Sequence, residues 1–164
     1  MRAGLQQLQP RGVLRELSAN WTGTWPELQR YVAKGKFINL AVNPYSLDAA
    51  AKLPGFFNLS GNVDVNEKGG ALNLNSRQLR LDFPEVFDHA LELDTLTAQL
   101  SWNNKGGQHE FRLSSATLAN SHLAGTAFGT YRTSSDGPGR IDLSAQFNRA
   151  DARYVSHYMP LVVG

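Results

Sequence analysis

Apolar and polar residues alternate along most of this chain with a period of two, the mark of strands with one dry and one wet face. The pattern is clearest from Leu53 to Phe87. Phe57, Leu59, Val63 and Val65 are apolar, and Asn58, Ser60, Asn62 and Asp64 are polar. Asn66-Glu67-Lys68-Gly69-Gly70 then supplies residues that tolerate positive φ in a hairpin turn. Leu72 and Leu74, then Leu79, Leu81 and Phe83, mark the returning strand. Pro84 ends it, because proline has no N–H to give to a ladder. The stretch predicts a β-hairpin with one apolar side.

The remainder follows the same pattern. Val13 to Trp21 alternates in a mixed way, and Tyr31 to Val42 reads as a strand with Ile38, Leu40 and Val42 on one side. Trp25-Pro26-Glu27-Leu28 suits a short helical turn, and Ser46 to Leu53 a short Ala-rich connector with one helical turn. Leu91 to Trp102 is a strand whose apolar phase changes midway, from odd (Leu91, Leu93) to even (Leu96, Ala98, Leu100, Trp102). A similar change separates Leu74 from Leu79. A one-residue slip reverses the faces unless a bulge absorbs it, so bulges are expected near Ser76 and Thr95. Strands follow at Gln108–Thr117 with Phe111 and Leu113 facing in, at Leu123–Tyr131, and from Ile141 through Leu143 and Ala145 to Phe147. Asn148 is placed to cap a closing helix through Met159, with Asp151 at its third position, and Pro160 to stop it.

These elements predict an all-β, mainly antiparallel fold. The pentapeptide at 66–70 has a near copy, Asn-Asn-Lys-Gly-Gly, at 103–107, and Ser134–Gly139 makes a third turn. Long hairpins at about 56–83, 91–117 and 121–148, with a helix at about 149–159, point to a repeating meander rather than a Greek-key sandwich. At 164 residues the chain is one domain or a length of a larger one. Its opening MRAGLQQLQP and closing LVVG carry no capping element, and it reads as a segment of a longer protein.

Composition narrows the functions. Charged residues make up 18% and are evenly spread for a net charge of +2, so no basic stripe points to nucleic acid. The absence of cysteine excludes disulfides and thiolate metal sites. No apolar run reaches the ~20 residues of a membrane span. His89, His109, His122 and His157 are scattered without metal-ligand spacing, and no nucleophile-elbow, phosphate-loop or dinucleotide motif occurs. Asp82, Glu85 and Asp88 offer paired carboxylates for glycoside chemistry, but solvated loop charges explain them better. Trp21, Trp25 and Trp102 offer sugar-stacking surfaces or ordinary strand packing. No cofactor is called for.

The combination of Pro54-Gly55, Asn58-Leu59-Ser60-Gly61, Gly69-Gly70, Leu74, Ser76, Leu81-Asp82-Phe83-Pro84 and Phe87 resembles the YhdP family of AsmA-like proteins. Leu93, Leu96, Trp102, Ala119-Asn120, Ala124-Gly125-Thr126, Gly139-Arg140-Ile141-Asp142-Leu143, Ala150-Asp151-Ala152 and Tyr158-Met159-Pro160 extend the likeness. The resemblance implies a large Gram-negative envelope protein, anchored in the inner membrane by an N-terminal helix. Its periplasmic sheet is curled into an elongated open groove or half-barrel that carries phospholipid toward the outer membrane and supports the permeability barrier. This chain lacks the membrane helix and the AsmA-like C-terminal region. It then corresponds to one length of the periplasmic sheet, touching the membrane only through the parent protein and joined to the remaining periplasmic segments.

On that expectation the partners are phospholipid acyl chains, with no catalytic residues, no metal and no nucleic acid. The expected groove lining is Phe57, Leu59, Val63, Val65, Leu72, Leu74, Leu79, Leu81, Phe83, Leu100, Phe111, Leu113, Ile141, Leu143 and Phe147. The same residues also suit an ordinary core. The alternative function is a soluble β-sandwich that binds a ligand or glycan, or a structural module of the envelope. Whether the closing helix plugs the groove or packs along its edge is open at this level.

Overall fold

The computed structural model describes residues 9–24, 27–48, 51–53, 55–83, 87–133 and 139–158. Eight strands form one antiparallel sheet: β1 (Arg11–Thr24), β2 (Glu27–Val42), β5 (Gly55–Asn66), β6 (Gly69–Asp82), β7 (Leu91–Lys105), β8 (Gln108–Ala119), β9 (Leu123–Arg132) and β10 (Arg140–Ala150). Their order in space is β1-β2-β5-β6-β7-β8-β9-β10, so every main strand lies beside its neighbour in sequence. The sheet is open, with β1 and β10 as its two edges. At about 4.8 Å per strand it is roughly 34 Å across. The all-β antiparallel meander predicted from the alternation is present, and the sheet is open, as the resemblance implies.

Local chemistry departs from expectation at several places. The 46–53 connector is itself a two-stranded hairpin, β3 (Tyr45–Asp48) with β4 (Ala51–Leu53). Of the expected helical turn, Trp25 and Pro26 lie outside the described residues, and Glu27 and Leu28 are strand, paired with Thr24 and Gly23 in β2. The closing helix is replaced by strand. β9 still offers Ala124 and Leu123 as partners to Arg149 and Ala150, and the ladder prevails over a costly helix nucleus. Asp151 accepts the N–H of Arg153 two residues on, in an Asx turn, and only a short 3-10 turn at Val155–Tyr158 follows.

The two similar pentapeptides do different work. In 103–107 the turn is Gly106-Gly107, both at positive φ (57° and 80°), as the tight hairpin turn matched to strand twist requires. In 66–70 the turn is Glu67-Lys68, with the Lys68 N–H bound to Asn66 Oδ1, and the glycines already belong to β6.

The phase slips are real, and they line up. Asn39, Asn58 and Gln78 all take positive φ, and apolar side chains change parity past each of them. The bulge expected near Ser76 appears against β5, where the register shifts between Phe57 and Gly61. The one expected near Thr95 shifts no register. β7 runs level with β6 from Gly69↔Asn103 to Leu81↔Leu91, because both strands carry the extra residue at the same height, Gln78 beside Asp94. Leu93 and Leu96 are both buried, with Asp94 and Thr95 exposed between them. β7 meets a register shift only against β8, between Gln99 and Leu100.

Together these irregularities make a crease across β2, β5, β6 and β7, and polar side chains close the ladder where backbone pairs are lost. The Ser60 N–H donates to Ser76 Oγ at 2.9 Å, and Ser76 Oγ donates back to the Ser60 carbonyl at 3.2 Å. The Asn39 N–H donates to Ser60 Oγ at 2.9 Å, and Asn58 Nδ2 to the Gln78 carbonyl at 2.9 Å. Ser76 is 2% exposed, so its hydroxyl has no water to fall back on. Beside it Leu79, Leu93 and Leu96 form the buried core, with Leu59, Leu74, Leu81, Ala98 and Leu118 packed around them. A flat layer leaves each side chain one wet side. Leu79 at 1% exposure therefore marks the crease as concave.

Ser76→Ala removes both stitches to Ser60 and strands a buried N–H and carbonyl. The expected cost is ~1–3 kcal/mol, read as a lower urea midpoint at unchanged slope. Ser114→Ala, on exposed β8, is expected to leave the midpoint within ~0.5 kcal/mol.

Candidate functional site: an apolar face across eight strands

Residues directly opposite each other on neighbouring strands share a face, and following that rule across the sheet produces continuous apolar rows. One runs Ile141, Tyr131, Phe111, Trp102, Gly70, Val65, Ala33 and Ala19. The next runs Leu143, Gly129, Leu113, Leu100, Leu72, Val63 and Gly35. A third is small, with Ala145, Ala127, Ala116 and Ala98, then Leu74, Gly61 and Phe37. A fourth joins Phe147, Gly125, Leu118, Leu96 and Ser76. The opposite face carries polar rows such as Asn75, Thr97, Thr117, Thr126 and Gln146.

Large side chains on the apolar face lie over glycines of the next strand. A Cβ added at Gly70 would meet the Trp102 ring at 2.6 Å, at Gly125 the Phe147 ring at 2.7 Å and at Gly61 the Phe37 ring at 3.1 Å. Leu143 lies over Gly129 and Leu17 over Gly35 in the same way, each at 3.1 Å. Bulk lying sideways covers backbone and keeps the face shallow. Phe111, Leu113, Gly129, Tyr131, Ile141 and Leu143 line a depression of about 130 Å³ on it.

The structure puts most of the expected lining on this one face. Leu59, Val63, Val65, Leu72, Leu74, Leu79, Leu81, Leu100, Phe111 and Leu113 share it, half-buried or buried. Ile141, Leu143 and Phe147 share it from edge strand β10, at 68%, 57% and 54% exposure. Phe57 does not. It stands opposite Arg80, whose guanidinium lies 6.0 Å from its ring on the polar face, and Phe56 opposite Leu81 takes the inward place. The cause is the slip at Asn58, which breaks the alternation. Phe83 falls just past the end of β6. Ile38 is likewise on the other side of the Asn39 slip from Leu40 and Val42, opposite Val13 and exposed. Leu93, Leu96, Ala98, Ala116, Leu118, Phe37, Trp102 and Tyr131 were missing from the expected lining. Their signal was the parity change itself, read on each side of the slip.

The two ends of the strands differ. Four connections, β1–β2, β5–β6, β7–β8 and β9–β10, lie along one rim, where Trp21, Tyr31, Trp102, Phe111 and Tyr131 sit just inside the ends. Trp21 is 66% exposed and faces Tyr31, and the Phe111 and Tyr131 rings stack at 6.2 Å. Glu67 holds the Tyr31 N–H at 3.3 Å. Its carboxyl lies below the usual range chiefly because its own backbone N–H donates to it, opposed by desolvation and helped by the Tyr31 N–H.

At the other rim Asn120, 7% exposed, is a hub. Its Nδ2 donates to the Glu92 carbonyl at 2.7 Å and to the Tyr158 hydroxyl at 2.6 Å. Its Oδ1 accepts from the His122 and Leu123 amides, and its carbonyl accepts from Arg149. Three histidines distant in sequence gather there: His89 and His157 at 5.0 Å, and His122 stacked on Tyr154 at 3.8 Å. His122 and His157 border a polar cavity of about 260 Å³. No group of side chains suited to hold a metal ion occurs among the described residues. Of the carboxylates considered for hydrolysis, Asp82 ends β6, Asp88 is exposed in the next connection, and Glu85 lies outside the described residues. Trp25 also lies outside them, so the sugar-stacking set is reduced to exposed Trp21 and half-buried Trp102.

An open, single-layer antiparallel sheet with one apolar and one polar face is a surface-presenting β protein. No described helix is long and apolar enough to cross a membrane. The family model of the YhdP protein matches residues 1–164, and the chain belongs to that family of AsmA-like envelope proteins. No curated protein and no solved structure matches the chain.

Two measurements check this geometry. Gly70→Ala drives a methyl group into the Trp102 ring and is expected to cost ~1–3 kcal/mol, with Trp102 emission shifted to the red. Because Glu67 is depressed in the folded state, its contact with Tyr31 is present above the ordinary carboxylate pKa and is lost as pH falls through the lower folded value. The Tyr31 amide resonance is therefore expected to titrate below pH 4.5, and to lose that titration in Glu67→Gln.

Proposed function

We propose that this chain is a length of an inner-membrane-anchored periplasmic protein that carries phospholipid along its apolar sheet face toward the outer membrane and so supports the permeability barrier. The observation that carries the reading is the continuity of the apolar rows from β10 across the sheet, one of them through all eight strands to β1. Among the described residues, no second layer covers the apolar face. Acyl chains suit such a face, since each buried CH2 contributes about 0.8 kcal/mol without needing a directional partner. Membership in an envelope family supports the same role. The passenger undergoes no chemistry, so the reading needs neither a catalytic residue nor a cofactor. The free edges of β1 and β10 suit further strands of the parent chain, which would extend the face beyond these residues.

The test is site-specific photocrosslinking in the full-length protein in cells, with probes at Val63, Leu81 and Ile141 and, on the opposite face, at Asn62, Asp82 and Asp142. Lipid adducts are expected at the first set alone. A folded, functional protein that yields adducts at neither set would defeat the conduit reading. Equal labelling at both sets would reduce the sheet to a nonspecific lipid-adherent surface.

A further inference from the structure

The conduit reading leaves open which way a lipid lies on the face, and the two rims are unlike enough to decide it. The hairpin-turn rim has an amphipathic aromatic row just inside it, Trp21, Tyr31, Trp102, Phe111 and Tyr131. Trp and Tyr favour the boundary where apolar chains give way to headgroups, with the ring body on hydrocarbon and the polar atom outward. Outside that row stand the cations Arg30, Lys68, Lys105, Arg132 and Arg140, all exposed, with Arg30, Arg132 and Arg140 on the polar-face side of the rim and Lys68 in the β5–β6 turn itself. Three described carboxylates accompany them: Glu27 at the start of β2, Glu67, which holds the Tyr31 N–H, and Glu110, 2.6 Å from Arg132. The rim is therefore net positive. A depression of about 210 Å³ lined in part by Trp21, Arg30 and Tyr31 combines a cation with two such rings.

The opposite rim has no such excess of cations. Six described carboxylates (Asp48, Asp82, Asp88, Glu92, Asp94 and Asp151) stand there against six cations, Arg11, Lys52, Arg77, Arg80, Arg149 and Arg153, so the charges balance. Two of these cations are already committed, Arg153 to Asp151 and Arg149 to the Asn120 carbonyl. The 3-10 turn is pinned across this rim by Tyr158 on Asn120 and Tyr154 on His122.

Depth agrees with charge. From Trp102 to Leu96, at the crease, β7 runs six residues, about 20 Å. Half of a bilayer's hydrocarbon core is about 15 Å. The face between the aromatic row and the crease is thus long enough for tails laid along the strands. We propose that the hairpin-turn rim is the headgroup edge of the groove. Phosphate-bearing lipids lie with the phosphate among the rim cations, the glycerol at the aromatic row and the tails pointing to the crease. They move sideways from strand to strand.

This inference rests on the conduit reading, and one experiment separates the two. Full-length protein is loaded from phosphatidylglycerol vesicles carrying a photoreactive group either at the glycerol end or at the last carbon of a tail, and adducts are mapped by mass spectrometry. Glycerol-end adducts are expected within 66–70 and 101–105, roughly fivefold or more above those within 91–98, and tail-end adducts in the reverse ratio. Lys68→Glu and Lys105→Glu are each expected to lower glycerol-end labelling roughly fivefold, as for cations near an anionic headgroup layer. Glycerol-end adducts at 90–92 or 120–122, or equally at both rims, overturn the orientation. Diacylglycerol with the same tails, labelling as strongly as phosphatidylglycerol, overturns recognition of the phosphate while the conduit reading stands. Absence of adducts from every probe overturns both.

Discussion

Everything in this molecule follows from its having to build a dry face within a single layer. In a sandwich, a second sheet supplies the other half of the core. Here the packing partners of the inward side chains come from the same sheet. Two devices answer that constraint. Large side chains lie sideways over glycines, so that Phe37, Trp102, Leu143 and Phe147 cover backbone as well as one another's flanks. The crease gathers leucines from four strands, β5 to β8, around Leu79, the most completely buried apolar side chain described. Away from the crease, coverage falls until the edge strand β10 is exposed along its whole length.

The crease has its own cost, since each slip breaks the run of backbone hydrogen bonds. The side chains of Asn58, Ser60 and Ser76 satisfy the released backbone groups of Gln78, Asn39 and Ser60 from strand to strand. These are the short polar residues that bond readily to nearby backbone, and Asn is also among the few that accept positive φ. The buried Ser76 hydroxyl is consequently part of the apolar core's support. The Asn120 hub performs a similar task at the end of the sheet, where one side chain joins β7, β9 and the closing turn.

Alternation made the strands legible because one face is dry: the β5–β6 and β7–β8 hairpins could be read almost residue by residue. The parity changes at Leu74/Leu79 and Leu93/Leu96 showed that the chain slips. They could not show that the slips in β6 and β7 coincide and cancel in register, because that depends on strand pairing. Phe57 was misread because a single positive-φ residue, Asn58, reverses the count. The closing segment was misread because a capping pattern carries no information about whether a neighbouring strand will outbid it. The histidine cluster was invisible, since the connections that bring residues 89, 122 and 157 together are long-range. The family resemblance, carried by glycines, prolines and small polar residues, holds over the full chain. Among them Gly61, Gly70 and Gly125 are positions where a neighbouring ring leaves no room for a Cβ, and Ser76 is buried at the crease.

The glycine-and-bulk pairing has a kinetic consequence in the proposed role. A surface with deep pockets would hold a passenger at one address, and leaving it would be slow. Here the projecting groups are laid flat and recur from strand to strand, so the landscape is a row of shallow, nearly equivalent steps about 4.8 Å apart. Passage through any multi-site conduit requires binding favourable enough to enter yet weak enough at each station to leave. By removing relief, the covered glycines give up tight binding at any one station in exchange for mobility along the whole track.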